Sequence, residues 1–214
     1  MRALFSKLQR RPVPALIAVV AAVMVLNAAA FAADEDYEPQ ELTGRKVAIL
    51  VGEGFQDAET LVPIGFLVNR GAAVTVVGVE PGFVKAYNSD TYARVEKSVD
   101  DVNPEDFDAV VIPGGHSPAY LRKHDNAVAF ARAAVEQGKV TAAICHGPQV
   151  LITAGVLEGK KTTAYSGVAD ELREAGATYE DVPMMQDGNI ITSRVPKDLP
   201  VFLRTIEEAL ADKG

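Results

Sequence analysis

The chain has 214 residues and a mass of 22.8 kDa, which allows one domain of ordinary size with a short extension. Asp and Glu number 29 against 21 Lys and Arg, so the net charge is −8, and binding of nucleic acid through its phosphates is disfavoured. The single Cys excludes an internal disulfide and any metal site built from several cysteines.

Residues 1–32 have the pattern of a secretory signal peptide. Basic residues precede any acid, an uncharged run extends from Val13 to Ala33, and Ala30-Phe31-Ala32 resembles a cleavage site. The alternative is an uncleaved membrane anchor, because an uncharged helix of this length would span about 30 Å of hydrocarbon. The first interpretation predicts an exported, periplasmic protein, and the second predicts a domain held at the membrane.

An acidic linker that contains Pro is expected at 33–43, and the folded domain at 44–214. Uncharged runs typical of buried strands lie at 47–52, 73–79, 109–113 and 140–144. Helical patterns lie at 58–70, 126–137, 148–154 and 199–212. A polar hairpin is expected at 83–98, and further short strands at 161–165 and 189–193. This alternation predicts an α/β fold with a mostly parallel sheet and helices on both faces.

Cys145 stands between the predicted strand that ends at Ile144 and a helix that begins near Pro148. This is the arrangement of a nucleophile elbow, a sharp strand-to-helix turn that exposes one side chain. The positive end of the following helix favours a thiolate, so we expect a lowered pKa for the thiol. The alternative is a buried, inert cysteine.

Other candidate site residues lie at the ends of predicted strands, where α/β sheets bind ligands. His146 could serve as a base if its ring turns back to the thiol, and it could otherwise face solvent or another subunit. Gly114 and Gly115 could offer N–H groups to an oxyanion, with His116 beside them, or could form a plain turn. Glu59 lies at the start of the first predicted helix. Its carboxyl group could reach the ligand-binding crevice at the strand ends, or it could only interact with the positive end of the helix dipole.

Four segments together resemble the PfpI/ThiJ family of PfpI-like peptidases and the parkinsonism-associated deglycase. These are GFQDAETLVP (54–63), VVIPGGHSP (110–118), AICHGPQVLITAGVLEGKK (143–161) and DGNIITSRVPKDLP (187–200). The resemblance covers about 45–210, in the family's order. It implies a flavodoxin-like sandwich that assembles as dimers or as hexamers of dimers, with no cofactor and no metal.

The resemblance also assigns roles to residues of this chain. Cys145 matches the nucleophile, and His146 matches the adjacent histidine of the PfpI branch. Glu59 matches the carboxyl group that hydrogen-bonds the cysteine, which we expect to be protonated and to donate that bond. Gly114 and Gly115 match the oxyanion-type turn.

Two positions depart from the family pattern. Gln56 replaces a carboxylate at the edge of the site. Ala119 replaces an acid that pairs with the histidine across a subunit interface, so a Cys-His-acid triad lacks its third member. This second departure weakens the peptidase interpretation.

Three functions remain open from the sequence. The first is glyoxalase III-like or deglycase-like chemistry on 2-oxoaldehydes or on glycated protein groups, with Cys145 as the nucleophile and Glu59 and His146 moving protons. The second is a cysteine peptidase. The third is a non-enzymatic thiol sensor of oxidative stress or a chaperone.

Overall fold

The computed structural model describes residues 37–212, so the expected signal peptide or anchor lies outside the described residues. A compact unit spans Gln40–Gly214. Among the helices between residues 37 and 212, none has the length and apolar character that crossing a membrane requires.

Seven strands form one sheet in the order β10-β11-β7-β6-β1-β2-β5, with two further two-stranded pairs, β3-β4 and β8-β9. Every neighbouring pair in the large sheet is parallel except β10 with β11. The strands are β1 (Lys46–Leu50), β2 (Ala73–Gly78), β3 (Gly82–Lys85), β4 (Tyr92–Val95), β5 (Lys97–Ser98), β6 (Ala109–Ile112), β7 (Val140–Ile144), β8 (Lys161–Thr162), β9 (Thr178–Tyr179), β10 (Met184–Asp187) and β11 (Ile190–Ser193).

The helices cover both faces of this sheet, which confirms the predicted α/β architecture. They are α1 (Asp57–Asn69), α2 (Ser117–Leu121), α3 (Asp125–Glu136), α4 (Pro148–Ala154), α5 (Ala169–Glu174) and α6 (Leu199–Ala211). One core lies under α3, α4 and α5, and includes Phe130, Leu151 and Leu172. The other lies under α1 and α6, and includes Leu67 and Phe202.

The predicted elements appear close to their expected positions, with four additions. The expected hairpin at 83–98 contains β3 and β4, and its last residues form β5, which joins the large sheet beside β2. The short helices α2 and α5, the two-residue strand β9 and the antiparallel edge strand β10 were not predicted. Each has six residues or fewer, so hydrophobic periodicity has little length over which to appear.

A buried ion pair joins α1 to α6. The Nε atom of Arg70 lies 2.6 Å from Oε1 of Glu207, whose side chain is fully buried. The backbone N–H of Gln40 donates to the same oxygen at 2.9 Å. Removing the cation would leave a fully buried carboxylate without the positive charge of Arg70 beside it.

We therefore expect Arg70→Ala to lower the free energy of unfolding by about 3 kcal/mol, measured by urea denaturation. Arg173→Ala is the matched control. Arg173 pairs with an acid, Asp170, and lies over the ring of Tyr179, just as Arg70 lies over the ring of Phe66. That pair is exposed, so its loss should cost less than about 1 kcal/mol. Equal losses for the two variants would contradict the role of burial.

Candidate active site

The predicted site residues meet at one edge of the sheet, beyond the carboxyl ends of β1, β6 and β7. The strand order reverses between β1 and β6, and such a switch point is where α/β sheets bind ligands. Glu59 lies in the first turn of α1 after β1, Gly114 follows β6, and Cys145 follows β7 directly. The fold thus brings together residues that are far apart in the sequence.

Cys145 occupies a strained turn. Its φ is 62°, the only positive value for a non-glycine residue between 37 and 212. The turn is held on both sides, because the N–H of Cys145 donates to the oxygen of Ser193 at 3.0 Å and its carbonyl oxygen accepts from the N–H of Tyr165 at 3.1 Å. A left-handed conformation costs about 1–3 kcal/mol and persists where the surroundings impose it, often at functional sites. The geometry matches the predicted nucleophile elbow.

Gly114 allows the carboxyl group and the elbow to approach each other. A Cβ atom there would lie 2.6 Å from Oε2 of Glu59 and 2.7 Å from the Cβ of Cys145. The backbone N–H groups of Gly115 and His146 point at the sulfur of Cys145 and favour its charged form. Backbone N–H donors of this kind are what an oxyanion hole is built from.

Glu59 is fully buried, and its two carboxyl oxygens differ in their surroundings. Oε2 accepts a hydrogen bond from the N–H of Gly114 at 2.9 Å. Oε1 is buried and has no hydrogen-bond partner among residues 37–212. Burial raises the pKa of Glu59 to about 7, against smaller opposing effects of Gly114 and the Cys145 thiol. A carboxyl group with this pKa can both hold and release a proton near neutral pH.

The expected lowered pKa of the Cys145 thiol is wrong for this structure. Burial, followed by the negative charge of Glu59, raises the pKa of Cys145 to about 12. The two backbone N–H groups oppose this rise without cancelling it. Helix α4 contributes little, because it has only seven residues and begins three positions after the cysteine. The thiol therefore needs a base when it reacts.

His146 turns its ring back toward the thiol. Its Nδ1 atom lies 3.3 Å from Sγ of Cys145, and its ring packs against the ring of Tyr165 with centroids 4.9 Å apart. Burial, and then the charge of His116, lower the pKa of His146. A neutral imidazole at this distance can exchange a proton with the sulfur or with a bound substrate.

A cavity of about 450 Å³ opens over these groups. It is lined by Gln56, Glu59, Tyr87, Gly115, His116, Cys145, His146, Tyr165, Val195 and Pro196. His116 forms part of its wall, with its ring 4.9 Å from that of Tyr87, as expected for a residue beside the crevice. Sequence reasoning missed the two tyrosines, although Tyr165 ends a predicted strand and could have been found there.

The two departures from the family pattern have different places in the structure. Gln56 is the N-cap of α1, and its Oε1 accepts from the N–H of Glu59 at 2.7 Å. Ala119 lies exposed on α2 and is not part of the cavity wall. No group of three or more His, Cys, Asp or Glu side chains within residues 37–212 is arranged to hold a metal ion.

The chain resembles known proteins in both sequence and fold. The sequence pattern of the DJ-1/PfpI family matches residues 45–209. The chain is 40% identical over 165 residues to "Deglycase PH1704" of Pyrococcus horikoshii, covering 77% of this chain and 99% of that one. It is 41% identical over 160 residues to "Putative cysteine protease YraA" of Bacillus subtilis, covering 75% and 95%.

A solved structure with a similar fold is a two-domain protein of Anabaena variabilis that contains DJ-1/ThiJ/PfpI-like and ferritin-like domains. The TM-score is 0.76 at 39% identity, over 78% of this chain and 50% of that one. The family pattern spans the whole sheet and every element that carries the site, and the relatives align along nearly their full length. The chain therefore belongs to the DJ-1/PfpI family.

Proposed function

We propose that this protein is a cysteine-dependent hydrolase of the deglycase type, which acts on 2-oxoaldehydes or on groups that such aldehydes have glycated. The observation that carries the proposal is the trio of Cys145, Glu59 and His146. A strained elbow presents the thiol beside a buried carboxyl group of pKa about 7 and an imidazole at 3.3 Å. Relatives that bear the name deglycase support the same chemistry.

In the first step, Sγ of Cys145 adds to the aldehyde carbon and forms a hemithioacetal. Ionised Glu59 takes the thiol proton as the sulfur attacks, and this same proton, relayed through the neutral ring of His146, reaches the aldehyde oxygen, which becomes a hydroxyl. The N–H groups of Gly115 and His146 stabilise the charge that develops on this oxygen. The thiol has a high pKa, so coupling proton removal to attack avoids a free thiolate.

With a 2-oxoaldehyde, the next step moves hydrogen from the former aldehyde carbon to the neighbouring ketone carbon. The first carbon is oxidised to a thioester, and the second is reduced to an alcohol. Water then cleaves the thioester, releasing a 2-hydroxy acid and restoring the Cys145 thiol. Overall, one 2-oxoaldehyde and one water give one 2-hydroxy acid, and the reaction needs no external oxidant.

The test is turnover by the purified domain of methylglyoxal, of methylglyoxal-treated arginine, and of casein. The proposal expects a 2-hydroxy acid from one or both glyoxal-derived substrates and little cleavage of casein. Peptide cleavage without aldehyde turnover would favour the peptidase. Inactivity on all three, with oxidation of Cys145 by dilute peroxide, would favour the thiol sensor.

Ala119 gives a separate test of the peptidase alternative. In a triad, the acid that orients the imidazole contributes on the order of 10⁴ in turnover, and this chain has Ala119 at the family's acid position. If the protein forms the family's dimer, Ala119→Asp should raise peptide cleavage and leave aldehyde turnover within about twofold. Ala129→Asp, at an exposed position of α3, is the matched control. An equal change in both activities would contradict this separation.

We also propose that the domain works after export. The supporting observation is the basic, then uncharged, amino-terminal stretch that ends in Ala30-Phe31-Ala32. We expect the mature protein to start near Ala33 or Asp34, as amino-terminal sequencing of the exported form would reveal. An intact Met1 in a membrane fraction would indicate an anchor instead.

A further inference from the structure

Gln56, which lines the cavity, makes four hydrogen bonds, one through its side chain and three through its backbone. Its side-chain Oε1 accepts from the N–H of Glu59 at 2.7 Å. Its carbonyl oxygen accepts from Thr60, from the N–H at 3.1 Å and from the hydroxyl at 2.9 Å. Its own N–H donates to the carbonyl oxygen of Gly114 at 3.2 Å.

These bonds decide which way the Gln56 amide points. Only the oxygen can accept from the N–H of Glu59, so the NH₂ group must lie on the other side. Among residues 37–212, Nε2 has no hydrogen-bond partner, and it is not one of the atoms buried without one. Gln56 lines the cavity, so its amide group, whose Nε2 is not used within the described residues, is a candidate donor to a molecule bound there.

A carboxylate in place of Gln56 would turn a hydrogen-bond donor of the cavity wall into an acceptor. It could still cap α1 through one oxygen, but it would offer no donor. It would also add negative charge beside Glu59, whose carboxyl group is already buried. The glutamine instead supplies a neutral donor in the wall of the cavity that Glu59 and Cys145 also line.

We propose that the Gln56 amide selects substrates with an acceptor oxygen on the carbon next to the reacting carbonyl, as in a 2-oxoaldehyde. This rests on the proposed function, since it assumes that Cys145 attacks an aldehyde. The amide would donate to the ketone oxygen while Sγ adds to the aldehyde carbon. The S–C bond forms as the C=O double bond becomes a C–OH, with the thiol proton accounted for by Glu59.

The experiment measures binding separately from turnover. Reversible addition of an aldehyde to Cys145 slows its alkylation by iodoacetamide, so protection gives an apparent affinity. Methylglyoxal carries the neighbouring oxygen, and propionaldehyde has the same carbon chain without it. The ratio of the two affinities is compared in the wild type, Gln56→Glu and Gln56→Met. Any change in thiol reactivity cancels in this ratio.

We expect both variants to lower the ratio by about fivefold, the effect of one neutral hydrogen bond. Gln56→Glu keeps the oxygen that caps α1, so a loss there does not come from a frayed helix. Gln186→Met, on the exposed part of β10, is the matched control and should keep the wild-type ratio.

An unchanged ratio in Gln56→Glu and Gln56→Met would overturn the role of Gln56, even if methylglyoxal is turned over. Conversely, a lowered ratio without any turnover would support this selectivity while the proposed function fails. The two ideas can therefore fail independently.

Discussion

Cys145→Ser should reduce turnover of methylglyoxal by at least about 10³-fold, because replacing a covalent nucleophile is among the most costly changes to an enzyme. A serine hydroxyl at this elbow would meet the same buried surroundings and the same negative Glu59. It is a far weaker nucleophile than sulfur and harder to deprotonate. Comparing product formation by the wild type with product formation by Cys145→Ser checks the prediction.

The substitution is nearly isosteric, so the fold should persist, with a thermal midpoint within a few degrees of the wild type. Ser166→Ala serves as the control, since Ser166 is exposed and lies outside the cavity wall. It should keep full turnover. Substantial activity in a folded Cys145→Ser protein would show that the chemistry does not pass through this sulfur.

Glu59→Gln should lower turnover by about 10²-fold while stabilising the protein at alkaline pH. Burial raises the pKa of Glu59 from 4.5 to about 7 in the folded state. The folded protein thus binds this proton more tightly than the unfolded chain does. The wild type therefore loses stability as pH rises from about 4.5 to about 7, by about 3 kcal/mol in total.

Glutamine carries no charge at either pH, so the benefit of Glu59→Gln should be small at pH 5 and greatest at pH 8. Urea unfolding at both pH values measures it. Loss of the Glu59 charge should also lower the pKa of the Cys145 thiol. The pH dependence of the rate at which Cys145 is alkylated measures this change. Glu208→Gln, at an exposed position of α6, should change the free energy of unfolding by less than about 0.5 kcal/mol. A destabilised Glu59→Gln protein at pH 8 would contradict the raised pKa.

Much of the fold was predictable because the strands that build it are buried on both faces. All five residues of β7 are buried, so its sequence VTAAI has no polar alternation to confuse with another structure. The position of Cys145 followed from the same pattern, since a Gly-Pro pair shortly after a buried strand marks a sharp turn into a helix. Glu59 was predictable for a similar reason, as the acid in the first turn after β1.

The ionisation of the site could not be read from the sequence. The pattern around Cys145 indicates a helix terminus, and a helix terminus favours a thiolate. The depth of the thiol and its distance from Glu59 depend on how β1, β6 and β7 lie side by side, and these effects dominate. The two tyrosines of the cavity were not predicted from the sequence for a related reason. Tyr87 follows the β3 strand of a hairpin whose packing no periodicity describes.

Mass spectrometry of the protein quenched during methylglyoxal turnover tests the central claim most directly. A covalent intermediate predicts a three-carbon adduct on the peptide that contains Cys145, present during turnover and lost once the substrate is consumed. Glu59→Gln should retain the adduct for longer if Glu59 moves protons in the later steps. Continued turnover with an unmodified Cys145, or adducts confined to lysine and arginine side chains, would contradict the account.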